Sequence, residues 1–153
     1  MRTVLQRVTS ASVRWDSGEA SIGPGYCLLV GVADTDEDRD AEYLADKLLK
    51  LRVFSDEAGK FNLSATQVNA AFLVVSQFTL FADARGQSRP SFLHAARPEQ
   101  AIGFRDAFPG IDVGIHPQVG GVAQRGVRIQ HAIDDQIILL IGGAEEVAGI
   151  VDR

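Results

Sequence analysis

The chain has 153 residues, a length typical of one domain that buries its own core, and it predicts a single domain over residues 1–153. Hydrophobic residues make up 46% and charged residues 23%, which excludes intrinsic disorder, while the net charge of −5 excludes a broad basic face for binding nucleic acid. No apolar stretch approaches the ~20 residues that cross a bilayer, and the N-terminus lacks a signal-peptide run, so we expect a cytoplasmic protein without membrane contact.

The first third of the chain predicts a hairpin, a buried strand and a helix. Thr3 to Val13 reads as a strand and is followed by turn residues at Asp16-Ser17-Gly18. The uninterrupted apolar run Tyr26 to Ala33 is typical of a central strand covered on both faces, and within it Cys27 is interpreted as a buried hydrophobe. Helical spacing then predicts a helix from about Glu37 to Lys50, with an inward face made of Ala41, Leu44, Ala45, Leu48 and Leu49.

The remaining elements are one more strand, a second helix and a final pair of strands. Phe72 to Phe81 is strongly apolar and predicts a strand. Pro98 opens a helix that we expect to continue to about Phe108. Alternation from Gly126 predicts a strand, Asp134-Asp135 a turn, and Ile137 to Ile141 the returning strand. Strands at both ends with helices between them indicate a layered α/β or α+β domain.

Three polar side chains interrupt the apolar run Phe72 to Phe81, at Ser76, Gln77 and Thr79. Buried polar groups need hydrogen-bond partners, so these residues either bond to neighbouring backbone, face solvent, or line a cleft. The segment alone favours the first two alternatives. The cleft becomes a serious alternative only when the residues that follow are added, namely Arg85, Arg89, Ser91 and Phe92.

Metal and cofactor sites are not expected. The three histidines, His94, His116 and His131, have no metal-ligand spacing, and no nucleotide-binding glycine motif occurs. The small basic cluster of Arg85, Arg89 and Arg97 allows at most a local contact with RNA.

Several ordered blocks of the chain resemble the D-aminoacyl-tRNA deacylase family. Ser76-Gln77-Phe78-Thr79-Leu80 resembles its SQFTL motif, and Arg89-Pro90-Ser91-Phe92 follows at a compatible distance. Further blocks match at Gln6-Arg7-Val8 and at Arg52-Val53-Phe54-Ser55-Asp56. The resemblance is strongest over residues 1–104.

The resemblance implies a homodimer with a compact layered α/β fold of mixed or antiparallel sheets and two main helices. It implies hydrolysis of the ester of D-aminoacyl-tRNA or glycyl-tRNA, with the tRNA 3′ end bound beside the SQFTL segment and no metal. The terminal ribose 2′-hydroxyl is expected to assist, while backbone amides of Gln77 and Phe78 position the substrate and stabilise the oxyanion. Thr79 is expected to position rather than attack. The substrate-binding residues implied are Ser76, Leu80, Arg89, Pro90, Ser91 and Phe92.

The last third of the chain departs from that family. An ungapped alignment puts Asp135 and Gln136 where the family has a glycine and a cis-proline that exclude L-amino acids. We therefore expect a specificity loop with altered selectivity. Residues 108–124 match poorly, and the tail 144–153 is atypical. The alternative function is a non-catalytic paralogue that kept the fold and binds RNA ends or nucleotides.

Overall fold

A computed structural model describes residues 1–15, 18–103, 128–142 and 147–151, the last two ranges by their backbone alone. Two helices occur in this part of the chain, α1 (Asp38–Lys50) and α2 (Pro98–Gly103). The strands are β1 (Arg2–Trp15), β2 (Gly18–Ile22), β3 (Gly25–Gly31), β4 (Phe54–Ser55), β5 (Phe61–Leu63), β6 (Ala71–Ser76), β7 (Arg128–Gly142) and β8 (Val147–Val151).

One mixed sheet organises the fold, with strand order β6-β3-β1-β7-β8. Its pairs are antiparallel except for β3 and β6, which run parallel. The predicted hairpin is confirmed, because β2 pairs with the far half of β1, and the predicted central strand is confirmed, because β3 lies between β6 and β1. The layered α/β class expected from the sequence is therefore correct.

Helix α1 covers one face of the sheet. Its start is fixed locally, since the Asp40 carboxylate accepts a hydrogen bond from the Glu37 N–H at 2.9 Å, and acidic residues in the first turn favour the helix dipole. The predicted inward face is confirmed: Leu49 is half-buried against the core, and the fully buried positions are Ala41, Leu44, Ala45 and Leu48.

The core has two parts, one on each side of the sheet. The larger part contains the buried α1 residues together with Tyr26 and Phe72. The smaller part includes Cys27, and burial raises the pKa of its thiol, which confirms the interpretation of this cysteine as a buried hydrophobe. Both parts hold the end of β6 in place next to β3.

Two predicted elements are wrong. The strand predicted over Phe72 to Phe81 ends at Ser76, and Phe78–Phe81 form a 3₁₀ turn. No turn occurs at Asp134-Asp135, since β7 continues through it and pairs with β1 on both sides. Gln6 pairs with Ile138 and Val8 with Ile133, so residues 134–137 lie opposite Arg7 alone and form a bulge.

Helix α2 and strand β8 lie in the second half of the chain. The predicted start at Pro98 is confirmed, and Ala101 packs against the larger core; the expected continuation through Phe104 and Phe108 lies outside the described residues. Strand β8 falls within the tail 144–153 and pairs with β7. Within the described ranges, no helix combines the length and apolarity needed to cross a membrane.

Candidate active site

The 3₁₀ turn Phe78–Phe81 begins just after the pairing of β6 with β3 ends. The Gln77 N–H donates to the Val30 carbonyl at 2.7 Å, which is the last backbone hydrogen bond between this segment and β3. The chain then closes on itself, with the Leu80 N–H donating to the Gln77 carbonyl at 3.3 Å and the Ala82 N–H to the Thr79 carbonyl at 3.1 Å. The N–H groups of Phe78 and Thr79 donate to no other group of the described chain, as expected for the first residues of a helical turn.

Gly31 lets the turn pack closely on the end of β3. A Cβ atom at this position would lie 3.0 Å from Leu80 Cβ and 3.1 Å from both the Gln77 carbonyl oxygen and a ring carbon of Phe81. These distances are tighter than ordinary contacts, so a side chain here would push the turn away from the sheet. The absence of a Cβ therefore sets the position of the turn.

The side chains of the SQFTL segment divide between packing and exposure. Ser76, Phe78 and Leu80 are half-buried, and Thr79 is exposed. The Gln77 side-chain amide donates a hydrogen bond to the Thr79 hydroxyl. No carboxylate or imidazole is hydrogen-bonded to Thr79 in the described part of the chain. This hydroxyl thus lacks the adjacent base that an attacking threonine needs.

The loop after the turn brings the second block of the family resemblance, Arg89 to Phe92, back to the SQFTL segment. Asp83 and Ser91 exchange two backbone hydrogen bonds of 2.8 Å each. The Phe92 ring then meets the Phe78 ring edge-on, with centroids 5.1 Å apart. Arg89 and Pro90 at the tip of this loop are exposed. The structure therefore brings Phe78, Ser91 and Phe92 together and leaves Arg89 and Pro90 facing solvent.

An ion pair between Asp83 and Arg85 lies in the same loop. The Asp83 carboxylate accepts hydrogen bonds from Arg85 Nη2 at 2.8 Å, Arg85 Nε at 3.0 Å and the Arg85 N–H at 2.9 Å. These contacts with Arg85, the side chain first and the backbone second, hold the pKa of the Asp83 carboxyl well below its usual range. Asp83 is consequently an anion at neutral pH and does not act as a general acid there.

A cleft of about 630 Å³ lies beside the turn. It is lined by Arg2, segment 33–35, segment 81–85 and His94. The Asp34 N–H donates to the His94 carbonyl at 3.2 Å, which joins segment 33–35 to His94. The cleft therefore adjoins the SQFTL segment through Phe81.

Hydrogen bonds from Asp36 and Gln100 hold segment 33–35 in place. Asp36 accepts a hydrogen bond from the Ala33 N–H at 2.6 Å with one carboxylate oxygen, and the Met1 ammonium contacts the other at 2.5 Å. Both side chains are almost wholly buried. Gln100 of α2 adds hydrogen bonds of 3.3 Å to the carbonyls of Asp34 and Asp36.

Sequence reasoning missed most of the residues that line this cleft. Arg2, Asp34 and His94 come from three distant segments and share no motif, so the sequence carries no local signal of their proximity. Of the segment Ser76 to Phe81, which was expected to line a cleft, Phe81 does so. No group of three or more metal-binding side chains occurs within the described ranges. For Asp135 and Gln136 the structure describes the backbone alone, in the β7 bulge opposite Arg7.

The family model that matches this chain and two of its relatives are described as tRNA deacylases. The family model described as D-Tyr-tRNA(Tyr) deacylase matches residues 4–109. A Dehalococcoides mccartyi protein named D-aminoacyl-tRNA deacylase is 54% identical over 110 residues, covering 71% of this chain and 71% of its own length. A Chloroflexus aurantiacus protein of the same name is 47% identical over 148 residues, covering 95% and 92% respectively. Its alignment extends well past residue 104, where the resemblance noted from motifs had weakened.

Two solved structures share the fold. One is titled c-Myc DNA Unwinding Element Binding Protein and superposes with a TM-score of 0.74 at 30% identity, covering 93% of this chain and 98% of its own. The other is titled as a probable eukaryotic D-amino acid tRNA deacylase and has a TM-score of 0.59 at 17% identity, covering 70% and 63%. The second likeness supports the fold alone.

Proposed function

Because the chain belongs to the D-Tyr-tRNA(Tyr) deacylase family, we propose that it hydrolyses the ester of D-aminoacyl-tRNA, or of glycyl-tRNA, to free amino acid and tRNA. The observation that carries this proposal is the match of residues 4–109 to the family model, which includes the whole SQFTL segment and every residue that lines the adjoining cleft except Arg2. Such a reaction removes wrongly attached amino acids before they are used in translation. The compartment we propose is the cytoplasm, where charged tRNA is used.

The 3₁₀ turn is the part of the site that we assign to transition-state stabilisation. Attack of water on the ester carbonyl carbon places negative charge on the carbonyl oxygen; the bond to the terminal ribose oxygen then breaks, and that oxygen leaves with a proton. Free backbone N–H groups are suited to this developing oxyanion. The resemblance implied the backbone amides of Gln77 and Phe78, but the Gln77 N–H is engaged by the Val30 carbonyl, so we assign the donor role to the N–H groups of Phe78 and Thr79 instead.

The terminal nucleotide of tRNA is the occupant that we propose for the cleft. His94 offers a hydrogen-bond donor there, and the Phe81 ring offers an apolar surface to a base. Asp83 and Arg85 compensate each other, which keeps the local charge near neutral beside an anionic ligand. The net charge of −5 fits a protein that holds only the end of an RNA rather than a long stretch of it.

A homodimer is also part of this proposal. Leu93 is 84% exposed and Phe92 is 38% exposed, next to the half-buried ring of Phe78. An exposed apolar surface beside a site is typical of a protein interface. We propose that this surface meets a second copy of the chain, so that each site is completed by its partner.

A second candidate function is nucleic-acid binding without hydrolysis. It is favoured by one specific observation, the structural neighbour titled c-Myc DNA Unwinding Element Binding Protein, which is 30% identical over nearly the whole chain. The two functions differ in whether bound substrate is consumed.

The decisive experiment compares D-tyrosyl-tRNA, L-tyrosyl-tRNA and glycyl-tRNA on matched tRNA at equal enzyme concentration. Release of D-tyrosine or glycine with many turnovers per site supports the deacylase. Stable binding of the same tRNA with no release above the uncatalysed rate supports the binding protein instead. Uncharged tRNA serves as the control for binding that does not depend on the ester.

A further inference from the structure

Arg2, at the start of β1, makes two contacts with the 3₁₀ turn. Its Nη1 donates a hydrogen bond to the Leu80 carbonyl at 2.9 Å, although the two residues are 78 positions apart in the chain. Its Cζ lies 4.6 Å from the centre of the Phe81 ring. The side chain is exposed and lines the cleft. One guanidinium group thus spans two successive residues of the turn.

These contacts add to the packing of Leu80 and Phe81 against Gly31 at the second half of the turn. None of its four residues is fully buried, and a single helical turn has few internal hydrogen bonds. The Leu80 carbonyl lies at the C-terminal end of the turn, where carbonyl groups lack helical partners and a cation is favoured. A guanidinium group can donate there while its flat face stacks on an aromatic ring.

The charge of Arg2 has no carboxylate partner among the ion pairs of the described chain. Arg14 on the same strand is a useful contrast, because it is exposed and paired with Glu19 at 2.9 Å. Arg14 therefore represents an ordinary surface ion pair, while the Arg2 contacts are with the turn itself.

We propose that Arg2 is a positioning residue for the reaction, holding the turn so that the N–H groups of Phe78 and Thr79 keep their orientation toward the substrate carbonyl. This inference rests on the proposed function, because the role of the turn as an oxyanion donor belongs to that proposal. Arg2 acts through the Leu80 carbonyl and the Phe81 ring and does not touch the reacting atoms.

The first test compares steady-state kinetics of Arg2→Met, Arg2→Lys and the control Arg14→Met on the same D-aminoacyl-tRNA. Arg2→Met is expected to lower kcat roughly tenfold, since small displacements of a catalytic group have effects of this order or larger, while KM changes by less than about twofold. Arg2→Lys should recover part of the loss, because an ammonium group can also donate to Leu80 and lie over Phe81. Arg14→Met should match the unmodified protein, and thermal unfolding checks that each variant folds.

The second test is hydrogen exchange over residues 78–82, measured on the whole protein without substrate. The Ala82 N–H is bonded to the Thr79 carbonyl, and its exchange rate should be higher in Arg2→Met than in the unmodified protein. In Arg14→Met the rate should be unchanged. A raised KM with unchanged kcat would overturn the proposal, because it would assign Arg2 to direct RNA binding. Unchanged exchange in Arg2→Met would also overturn it. If the unmodified protein hydrolyses nothing, the proposed function fails, while the exchange experiment still decides whether Arg2 holds the turn.

Discussion

The side-chain amide of Gln77 donates a hydrogen bond to the hydroxyl of Thr79, two residues further along the same turn. An amide group has no basic site that could remove the hydroxyl proton, and a threonine hydroxyl attacks poorly without one. Thr79 is placed as a hydrogen-bond acceptor within its own turn. Its side chain supports the local backbone conformation and is not suited to form an acyl-enzyme.

Replacing Thr79 with alanine should therefore lower kcat only modestly. The loss of one neutral hydrogen bond, worth about 1 kcal/mol, corresponds to a decrease of roughly fivefold. Single-turnover hydrolysis of D-aminoacyl-tRNA measures this decrease, with Thr79→Ser as the control that keeps the hydroxyl. A folded Thr79→Ala protein without any turnover, together with an acylated threonine detected by mass spectrometry in the unmodified protein, would contradict it.

Removal of a backbone donor should be far more damaging than removal of a side chain. Phe78 is the first residue of the turn, and the backbone of the preceding Gln77 (φ −142°, ψ 86°) lies outside the α-helical region that a following proline disfavours, so proline can be accommodated there. Phe78→Pro deletes one N–H and should lower kcat about 100-fold or more. Phe78→Leu is the matched control, because it removes the aromatic ring and keeps the donor. Equal losses in the two variants would show that the ring, through Phe92, matters and the N–H does not.

Gly31→Ala should reduce activity more than stability. The added methyl group would push against Leu80 and Phe81, displacing the turn by a few tenths of an ångström at a cost of about 1–3 kcal/mol in the free energy of unfolding. Gly25→Ala is the contrasting variant, since its Cβ would lie 1.9 Å from the Ala71 carbonyl oxygen and break the β3–β6 pairing. We expect Gly31→Ala to be folded with impaired kcat, and Gly25→Ala to be largely unfolded by circular dichroism.

Tyr26→Phe should stabilise the protein. The Tyr26 ring is fully buried between Phe54 and Phe72, and its hydroxyl has no hydrogen-bond partner within the described ranges. Removing an unsatisfied buried hydroxyl should increase the free energy of unfolding by about 1 kcal/mol, whereas Tyr26→Leu, which also removes the ring contacts, should decrease it. Thermal and denaturant unfolding at neutral pH measure both changes.

The same residue predicts a dependence of stability on alkaline pH. Burial raises the pKa of the Tyr26 hydroxyl above its ordinary value, and the nearby Arg7 charge opposes this only in part. The folded state therefore holds this proton more tightly than the unfolded state, so its contribution is fully present below about pH 10 and is lost as the pH rises further. Above that pH the unmodified protein should lose stability faster than Tyr26→Phe; parallel curves for the two proteins would argue against this origin.

Discrimination between D- and L-amino acids should be weak. Asp135 and Gln136 stand where the family resemblance expects a glycine and a proline that exclude L-amino acids, and their backbone lies in the β7 bulge opposite Arg7. Initial rates on D- and L-tyrosyl-tRNA should differ little, and the double variant Asp135→Gly with Gln136→Pro should increase the preference for D. Strong D selectivity in the unmodified protein would mean that another segment performs the selection.

The sequence by itself determined those helices and strands whose own residue pattern shows which side chains are buried. Helix α1 follows from helical spacing and an acidic first turn, and β3 follows from an apolar run that needs cover on both faces. The SQFTL segment and the block at residues 89–92 form one family signature that the sequence alone displays. In each case the information is local, because it resides in neighbouring residues.

Only the tertiary structure decided where β6 ends, how β7 continues and which residues form the cleft. Phe78, Leu80 and Phe81 are apolar enough to read as strand, yet the strand stops once the Val30 carbonyl has accepted its last hydrogen bond from Gln77. An apolar pattern shows that a segment is covered, and it does not show whether a partner strand is still present to pair with it. The bulge opposite Arg7 and the contact of Arg2 with Leu80 have the same origin, since both depend on backbone groups contributed by distant parts of the chain.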